Sequence, residues 1–366
     1  MGHSTSLEAT IDPSPSVAID NALHAGLEQG VFTGAVVHIA RGGIVLKHAS
    51  YGHSLFYRDR STRVSAPIAT TTATIFDLAS LTKVVTTTTA VMQLVEAGYV
   101  ALGAPICRYL PGFERAGKGG VTVAHVLTHT SGLPAGRLFY KRLEGHDTIV
   151  EAIKRVRLVS APGAQVIYSD LGFITLGALV AQVAGAPLNV YAATHIFQPL
   201  GMGDTGYQPA EALRRRIAAT EYQPGRGMVW GTVHDENAAA MGGVSGHAGL
   251  FASAADLAAF TAMLLGESNS SSTLVLKPET VRHMFALQTG GLVARRGYGW
   301  EGGQLSYMGR LAAGNAVGHT GFTGTSIVLD PERRLSVILL TNRVHPMRTG
   351  PDLSPIRAAV SDAAAL

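Results

Sequence analysis

The stretch Phe76-Asp-Leu-Ala-Ser-Leu-Thr-Lys83 places a lysine three residues after a serine. On a helix, positions i and i+3 share one face, so the Lys83 amine can reach the Ser80 hydroxyl. A serine hydroxyl becomes an effective nucleophile when a base takes its proton. A lysine can act as that base when desolvation and neighbouring cations lower its pKa. Of the six lysines in the chain, only Lys83 follows a serine at this spacing.

Two later motifs strengthen this interpretation. Tyr168-Ser-Asp170 opens an apolar stretch with helical character, and His319-Thr-Gly321 stands just before a predicted strand. The order Ser-x-x-Lys, then Tyr-x-(Asn or Asp), then (Lys or His)-Thr-Gly is typical of active-site serine enzymes. Three motifs in this order are a stronger signal than any one of them.

With these residues in place, the sequence resembles the class C β-lactamases and the related esterases over about residues 17 to 350. Besides the stretch around Ser80, Val126-Leu-Thr-His-Thr-Ser-Gly-Leu133 and Ile196-Phe-Gln-Pro-Leu-Gly-Met202 look like that group. The resemblance implies that Ser80 is acylated, that Lys83 orients and deprotonates it, and that Tyr168 is the general base and acid. It also implies an oxyanion hole formed by the backbone N–H groups of Ser80 and Phe322.

The chain departs from the family pattern at two positions. Asp170 stands where an asparagine is usual, and an acid there would raise the pKa of Lys83 or simply cap the following helix. His319 stands where a lysine is usual, and a histidine supplies only part of a fixed positive charge near neutrality. We expect Asp170 and His319, with Thr320 and Gly321, to lie at the substrate. We also expect poor β-lactamase activity, and better binding of carboxylate substrates as the pH falls toward 6.

Two neighbouring loop segments stand out. Val233-His-Asp-Glu-Asn-Ala238 is rich in polar residues, and Gly242-Gly-Val-Ser-Gly-His-Ala-Gly-Leu250 combines polar residues with glycines. They resemble a subgroup that includes cell-wall amidases acting on N-acetylmuramoyl-peptide. In that interpretation the substrate cleft is lined by His234, Glu236, Asn237 and His247. The alternative is a structural loop with glycine turns and internal hydrogen bonds.

The predicted fold is α+β, like that of β-lactamases and DD-peptidases: an antiparallel sheet flanked by helices, with an inserted helical region. Residues 1–16 are predicted to be a flexible N-terminus and 17–366 a single domain. The sheet is expected from about 31–60 and 290–345, where strands are separated by short turns, and the helical region from about 75–265. Within that region, 75–98 is predicted to be helical and 58–74 to run over the surface.

Other classes of function are disfavoured. The net charge of +4 is small and its basic residues are scattered, so no nucleic-acid partner is expected. Cys107, the single cysteine, permits neither an intrachain disulfide nor a multi-cysteine metal site, and it is interpreted as a spectator. His125 and His129 lack an evident third ligand, so no metal is expected. Gly201–Gly206 does not follow a strand, which disfavours a dinucleotide site, and a Gly-x-Ser-x-Gly motif is missing.

The sequence thus predicts a cofactor-free hydrolase that cleaves a small-molecule ester or amide, with a cell-wall fragment as the leading amide. Alternatives are a DD-peptidase, a weak β-lactamase, a transacylase, or a non-catalytic sensor that keeps the fold. No membrane span is expected, since no apolar run reaches about 18 residues. The chain as given shows no signal peptide, which favours the cytoplasm. If its N-terminus was trimmed, a secreted or periplasmic protein is expected instead.

Overall fold

The computed structural model describes residues 14–267 and 275–366. Its strands are β1 (Gly34–Arg41), β2 (Ile44–Tyr57), β3 (Arg63–Ala69), β4 (Ile75–Asp77), β5 (Gly206–Tyr207), β6 (Tyr222–Gln223), β7 (Gly227–Met228), β8 (Leu250–Ser253), β9 (Arg295–Arg296), β10 (Glu301–Gly302), β11 (Val317–Thr320), β12 (Ser326–Asp330) and β13 (Leu335–Thr341). Its α-helices are α1 (Pro15–Glu28), α2 (Thr89–Glu96), α3 (Val123–Leu127), α4 (His146–Lys154), α5 (Asp170–Ala184), α6 (Leu188–Ala192), α7 (Glu236–Ala240), α8 (Ala254–Leu264), α9 (Pro278–Phe285), α10 (Leu305–Met308) and α11 (Ser354–Ala364).

The main sheet is antiparallel and has the strand order β3-β2-β1-β13-β12-β11-β10-β9. β1 and β13 pair at its centre, so the two ends of the chain meet in one sheet, as the sequence predicts. One face carries alternate residues such as Val37 and Val337, which pack with α1 and α11. The other face, with Val36 and Ile338, packs against the helical region. Both faces are covered, and this explains the continuous burial along β13.

Three local predictions need correction. Residues 75–77, predicted to be helical, form β4, because they pair with β8, a strand nearly 180 residues away. Residues 63–69, predicted to be surface loop, form β3 at the edge of the main sheet. The predicted flexible segment 1–16 overlaps α1 at residues 15–16, and residues 1–13 lie outside the described residues.

No single described helix is long and apolar enough to cross a membrane. The pair Asp170–Ala184 and Leu188–Phe197 passes that test together by length and composition, with a bend of 75° between its helices. Most of α5 is buried in the helical core.

Candidate active site

Ser80 lies in a tight turn that follows β4. Ala79 has a φ of 46°, in the left-handed region, and begins a short 3-10 helix, Ala79–Leu81. The buried carboxylate of Asp77 accepts hydrogen bonds from the backbone N–H of Ala79 at 2.9 Å and of His234 at 2.7 Å. Asp77 therefore fixes both the unusual backbone before Ser80 and the loop that faces it.

Lys83 contacts Ser80 directly, although the helix between them is irregular. A π-helical segment, Lys83–Thr88, follows the 3-10 turn, yet Lys83 Nζ still lies 2.8 Å from Ser80 Oγ. The fully buried ammonium also donates to Asp170 Oδ1 at 2.8 Å and to the carbonyl oxygen of His247 at 3.2 Å. An ammonium has three donors, and each has an acceptor here. Burial lowers the pKa of Lys83, but the charge of Asp170 and the hydrogen bonds to Asp170 and Tyr168 outweigh burial and raise it.

Tyr168 stands directly before α5, whose first turn is capped by the Ser169 hydroxyl. The Ser169 N–H donates to Nδ1 of the buried His129 at 2.9 Å, and the rings of His129 and Tyr168 lie 4.5 Å apart. Lys83 Nζ lies 4.8 Å from the centre of the Tyr168 ring. Burial raises the pKa of the Tyr168 phenol, and nearby Lys83 only partly opposes this. Both helpers of Ser80 are thus protonated in the resting structure.

The end of β11 packs against the Ser80 turn and completes the site. Thr325 Oγ1 donates to the carbonyl oxygen of Leu78 at 3.0 Å, and Thr323 Oγ1 donates to that of Asp77 at 2.7 Å. A Cβ atom on Gly321 would collide with Thr325 Oγ1 and with the Leu78 carbonyl oxygen. Only glycine allows this close approach, which brings Phe322 to the cleft beside Ser80.

A cleft of about 460 Å³ opens above Ser80. Most of the residues predicted for the site line it: Ser80, Tyr168, Asp170, His234, Glu236, His247, Thr320, Gly321 and Phe322. Lys83 lies beneath the cleft, in contact with Ser80. The predicted nucleophile, its helpers and the predicted oxyanion-hole residues are therefore brought together by three separate segments of the chain.

His319 occupies a different position from the expected one. Its side chain is buried behind Tyr168, with ring centres 6.0 Å apart, and it is not among the residues that line the cleft. Nδ1 lies 2.9 Å from the carbonyl oxygen of Thr320 and so carries the hydrogen. Burial, with the charges of Lys83 and Arg296, holds the pKa of His319 well below its usual range. His319 therefore stays neutral at pH 6, and the expected gain in carboxylate binding does not follow from it.

Asn237 is also not among the lining residues. Its amide nitrogen donates to the carbonyl oxygen of Arg137 at 2.8 Å, and its amide oxygen accepts from the Tyr140 N–H at 3.1 Å. Asn237 thus holds a neighbouring loop in place, which matches the structural alternative for this segment. Its neighbour Asp235, which the sequence interpretation did not select, lines the cleft and accepts from His247 Nε2 at 2.9 Å.

Sequence reasoning also missed three arginines at the Phe322 end of the cleft: Arg343, Arg348 and Arg357. Arg343 and Arg348 lie 5.5 and 5.8 Å from the centre of the Phe322 ring. Arg357, on α11, donates to the carbonyl oxygen of Thr325 at 2.7 Å. Arg348 is paired with Glu221 and Glu236, but Arg343 and Arg357 supply positive charge at this end of the cleft even though His319 is neutral. An isolated arginine far along the chain carries no local signal that would reveal this.

The two histidines considered for a metal have structural roles. Nδ1 of His125 accepts from the Thr122 N–H at 3.2 Å in the cap of α3, and His129 supports Ser169. In the two described ranges, no group of three or more His, Cys, Asp or Glu residues is arranged to hold a metal ion.

Comparison with known proteins places this site in a family. Residues 19–361 match the beta-lactamase family, and the chain belongs to it. It is 32% identical to an N-acetylmuramyl-L-alanine amidase of Bacillus subtilis (strain 168), over 92% of this chain and 83% of the relative. It is 33% identical to a putative D-alanyl-D-alanine carboxypeptidase of Salmonella typhimurium, over 85% of this chain and 79% of the relative.

Solved structures confirm the predicted β-lactamase-like fold. A class C beta-lactamase superposes with a TM-score of 0.76 at 16% identity, covering 99% of this chain and 98% of the other. EstCE1, a hydrolase with promiscuous acyltransferase activity, superposes with a TM-score of 0.73 at 23% identity, covering 96% of this chain and 98% of the other. The chain is thus a serine hydrolase of the beta-lactamase family, and the solved structures show that it has the β-lactamase fold.

Proposed function

We propose that this chain forms an acyl-enzyme at Ser80 and hydrolyses an amide or ester, with the amide bond of a muropeptide as its leading substrate. The observation that carries the proposal is the 2.8 Å contact between Ser80 Oγ and Lys83 Nζ at the floor of the cleft. The names of the amidase and carboxypeptidase relatives support a cell-wall peptide.

The chemistry requires one proton to leave before Ser80 can attack. In the resting site Lys83 is an ammonium that donates to Ser80, and Tyr168 is a neutral phenol. Once either group is deprotonated, it accepts the Ser80 proton while Oγ bonds to the substrate carbonyl carbon. The N–H groups of Ser80 and Phe322 stabilise the oxyanion. The bond to the leaving group then breaks, the leaving group takes the proton, and water hydrolyses the acyl-enzyme.

The cationic end of the cleft supports a substrate that carries a carboxylate. The guanidinium groups of Arg343 and Arg357 lie beside Phe322, within reach of a group bound next to the oxyanion hole. A planar guanidinium suits a carboxylate because it can donate two parallel hydrogen bonds. The peptide of a muropeptide carries such groups, whereas a short neutral ester does not.

The test is a substrate panel of p-nitrophenyl esters, nitrocefin and muramoyl peptides, run on the wild type, on Ser80→Ala and on Ser61→Ala. Ser61 is exposed and is not among the residues lining the cleft, so it provides the matched control. We expect release of the peptide from muramoyl peptide by the wild type and by Ser61→Ala, and none by Ser80→Ala. Equal turnover by Ser80→Ala would refute the proposed mechanism, and ester turnover with intact muramoyl peptide would refute the substrate.

A further inference from the structure

A second cavity adjoins the active-site cleft. It has a volume of about 730 Å³, and residues of β6 and the loop after it, α7 and the segment following β13 line it. Glu236 and Arg348 line both cavities, so these two side chains form the wall between them. Each cavity alone is of the size that accommodates a small-molecule moiety.

The shared wall consists of an ion pair. Arg348 Nη2 lies 2.5 Å from Glu236 Oε1, and the two side chains are 37% and 24% exposed. Arg348 is also held from behind, because its Nε donates to Glu221 Oε2 at 2.7 Å. A ligand bound in both cavities would therefore cross this ion pair.

Charge in the second cavity is unevenly matched. Both of its carboxylates, Glu221 and Glu236, contact Arg348. Arg226 donates instead to neutral acceptors, the carbonyl oxygens of Val233 at 2.6 Å and His234 at 3.2 Å and the amide oxygen of Gln223 at 2.7 Å. Arg60 lies exposed on the rim. Two guanidinium groups thus face the cavity without a carboxylate partner in the described part of the chain.

Apolar surface accompanies these charges. Met347 is 39% exposed, and Tyr140, Pro224, Ala239 and Ala240 also line the cavity. This combination suits a peptide segment with an acidic side chain better than a purely apolar group, because apolar surface buries the chain and guanidinium groups bind its carboxylate.

We infer that the second cavity is a subsite for a carboxylate-bearing peptide segment of the substrate, which reaches it across the Glu236–Arg348 ion pair. The inference rests on the proposed function for the identity of the substrate, since the segment is the part of a muropeptide that extends away from the scissile bond. It assigns Arg60 and Arg226 the recognition of the carboxylate, at a distance from the reacting atoms.

The test measures binding and needs no turnover. Ser80→Ala protein is titrated calorimetrically with a muramoyl tetrapeptide and with the same peptide whose acidic side chain is converted to a carboxamide. We expect tighter binding of the acid, by about fivefold or more, as charge-assisted hydrogen bonds provide. Adding Arg60→Gln should reduce this preference severalfold, and Thr349→Trp, which narrows the cavity from an exposed position, should weaken binding of both peptides.

Arg282→Gln is the matched control, because Arg282 lines a different cavity and its loss should leave the preference unchanged. Equal binding of acid and carboxamide, an acid preference that Arg60→Gln leaves unchanged, or binding of both peptides that Thr349→Trp leaves unchanged would overturn the inference. Failure of the proposed function is distinct: wild-type protein would then release no peptide from either compound, whatever the titrations show.

Discussion

Asp170 helps to raise the pKa of Lys83, and replacing it with asparagine is the sharpest perturbation of the site. Asp170→Asn preserves size and leaves an amide oxygen 2.8 Å from Lys83 Nζ, but it removes the negative charge. Burial, which lowers the pKa of Lys83, would then be opposed only by Tyr168. The pKa of Lys83 must therefore fall.

The size of the change follows from the geometry. An opposite charge in direct contact shifts a pKa by about 1 to 3 units, or about 1.4 kcal/mol for each unit. The Asp170 side chain is 35% exposed, so water screens its charge and the lower part of this range applies. We expect a fall of about 1 to 2 units in the Lys83 pKa.

The assay is the pH dependence of kcat/KM for a p-nitrophenyl ester, with a matched control. In the wild type activity should rise with pH as the Lys83–Tyr168 unit loses a proton. In Asp170→Asn this rise should occur about 1 to 2 pH units lower. Asp147, a fully exposed acid on α4, provides the control, and in Asp147→Asn the rise should occur at the same pH as in the wild type. Identical profiles for Asp170→Asn and the wild type, with both proteins folded, would show that Lys83 is not the group whose deprotonation limits the reaction.

Three further substitutions test the roles of Tyr168, Gly321 and Glu221. Tyr168→Phe keeps the ring packing on His129 and loses the proton-transfer group, so kcat should fall by about a hundredfold or more; a value within twofold of the wild type would remove Tyr168 from the mechanism. Gly321→Ala forces the end of β11 away from Leu78, so kcat should fall by about a hundredfold or more while KM changes less; full activity would show that the oxyanion hole is elsewhere. Burial raises the pKa of Glu221, but hydrogen bonds from His234 and Arg348 lower it to about 2, below its ordinary 4.5. A carboxyl whose pKa is lower in the folded protein than in the unfolded chain stabilises the fold at pH values above the unfolded pKa. The free energy of unfolding should therefore decrease by about 3 kcal/mol as the pH falls from 4.5 toward 2. A Glu221→Gln protein that loses as much stability over that interval in acid denaturation would contradict this.

Contacts within one turn of the chain were the most predictable parts of the site. The spacing of Ser80 and Lys83 predicts their contact, and the structure shows it even through an irregular helix. The effect of Asp170 on the Lys83 pKa also follows from charge alone. The order of strands at the two ends of the chain likewise predicts the sheet, because β1 and β13 are long and apolar.

Burial and long-range contacts could not be predicted in the same way. His319 and Asn237 lie within matching motifs, but their side chains are directed away from the substrate cleft by packing against Tyr168 and by hydrogen bonds to residues about a hundred positions away. β4 is three residues long and exists through its partner β8, so its own apolar residues fit a helix equally well.

Covalent labelling of Ser80 by an electrophile is the most direct check that Ser80 is the nucleophile. The wild type is incubated with a fluorophosphonate, digested, and examined by mass spectrometry of the peptide that contains Ser80. We expect one added mass located on Ser80. It should be lost in Ser80→Ala and form much more slowly in Lys83→Ala, since Lys83 is the only lysine in contact with that hydroxyl among the described residues. Labelling of another serine, with Ser80→Ala still fully reactive, would contradict it.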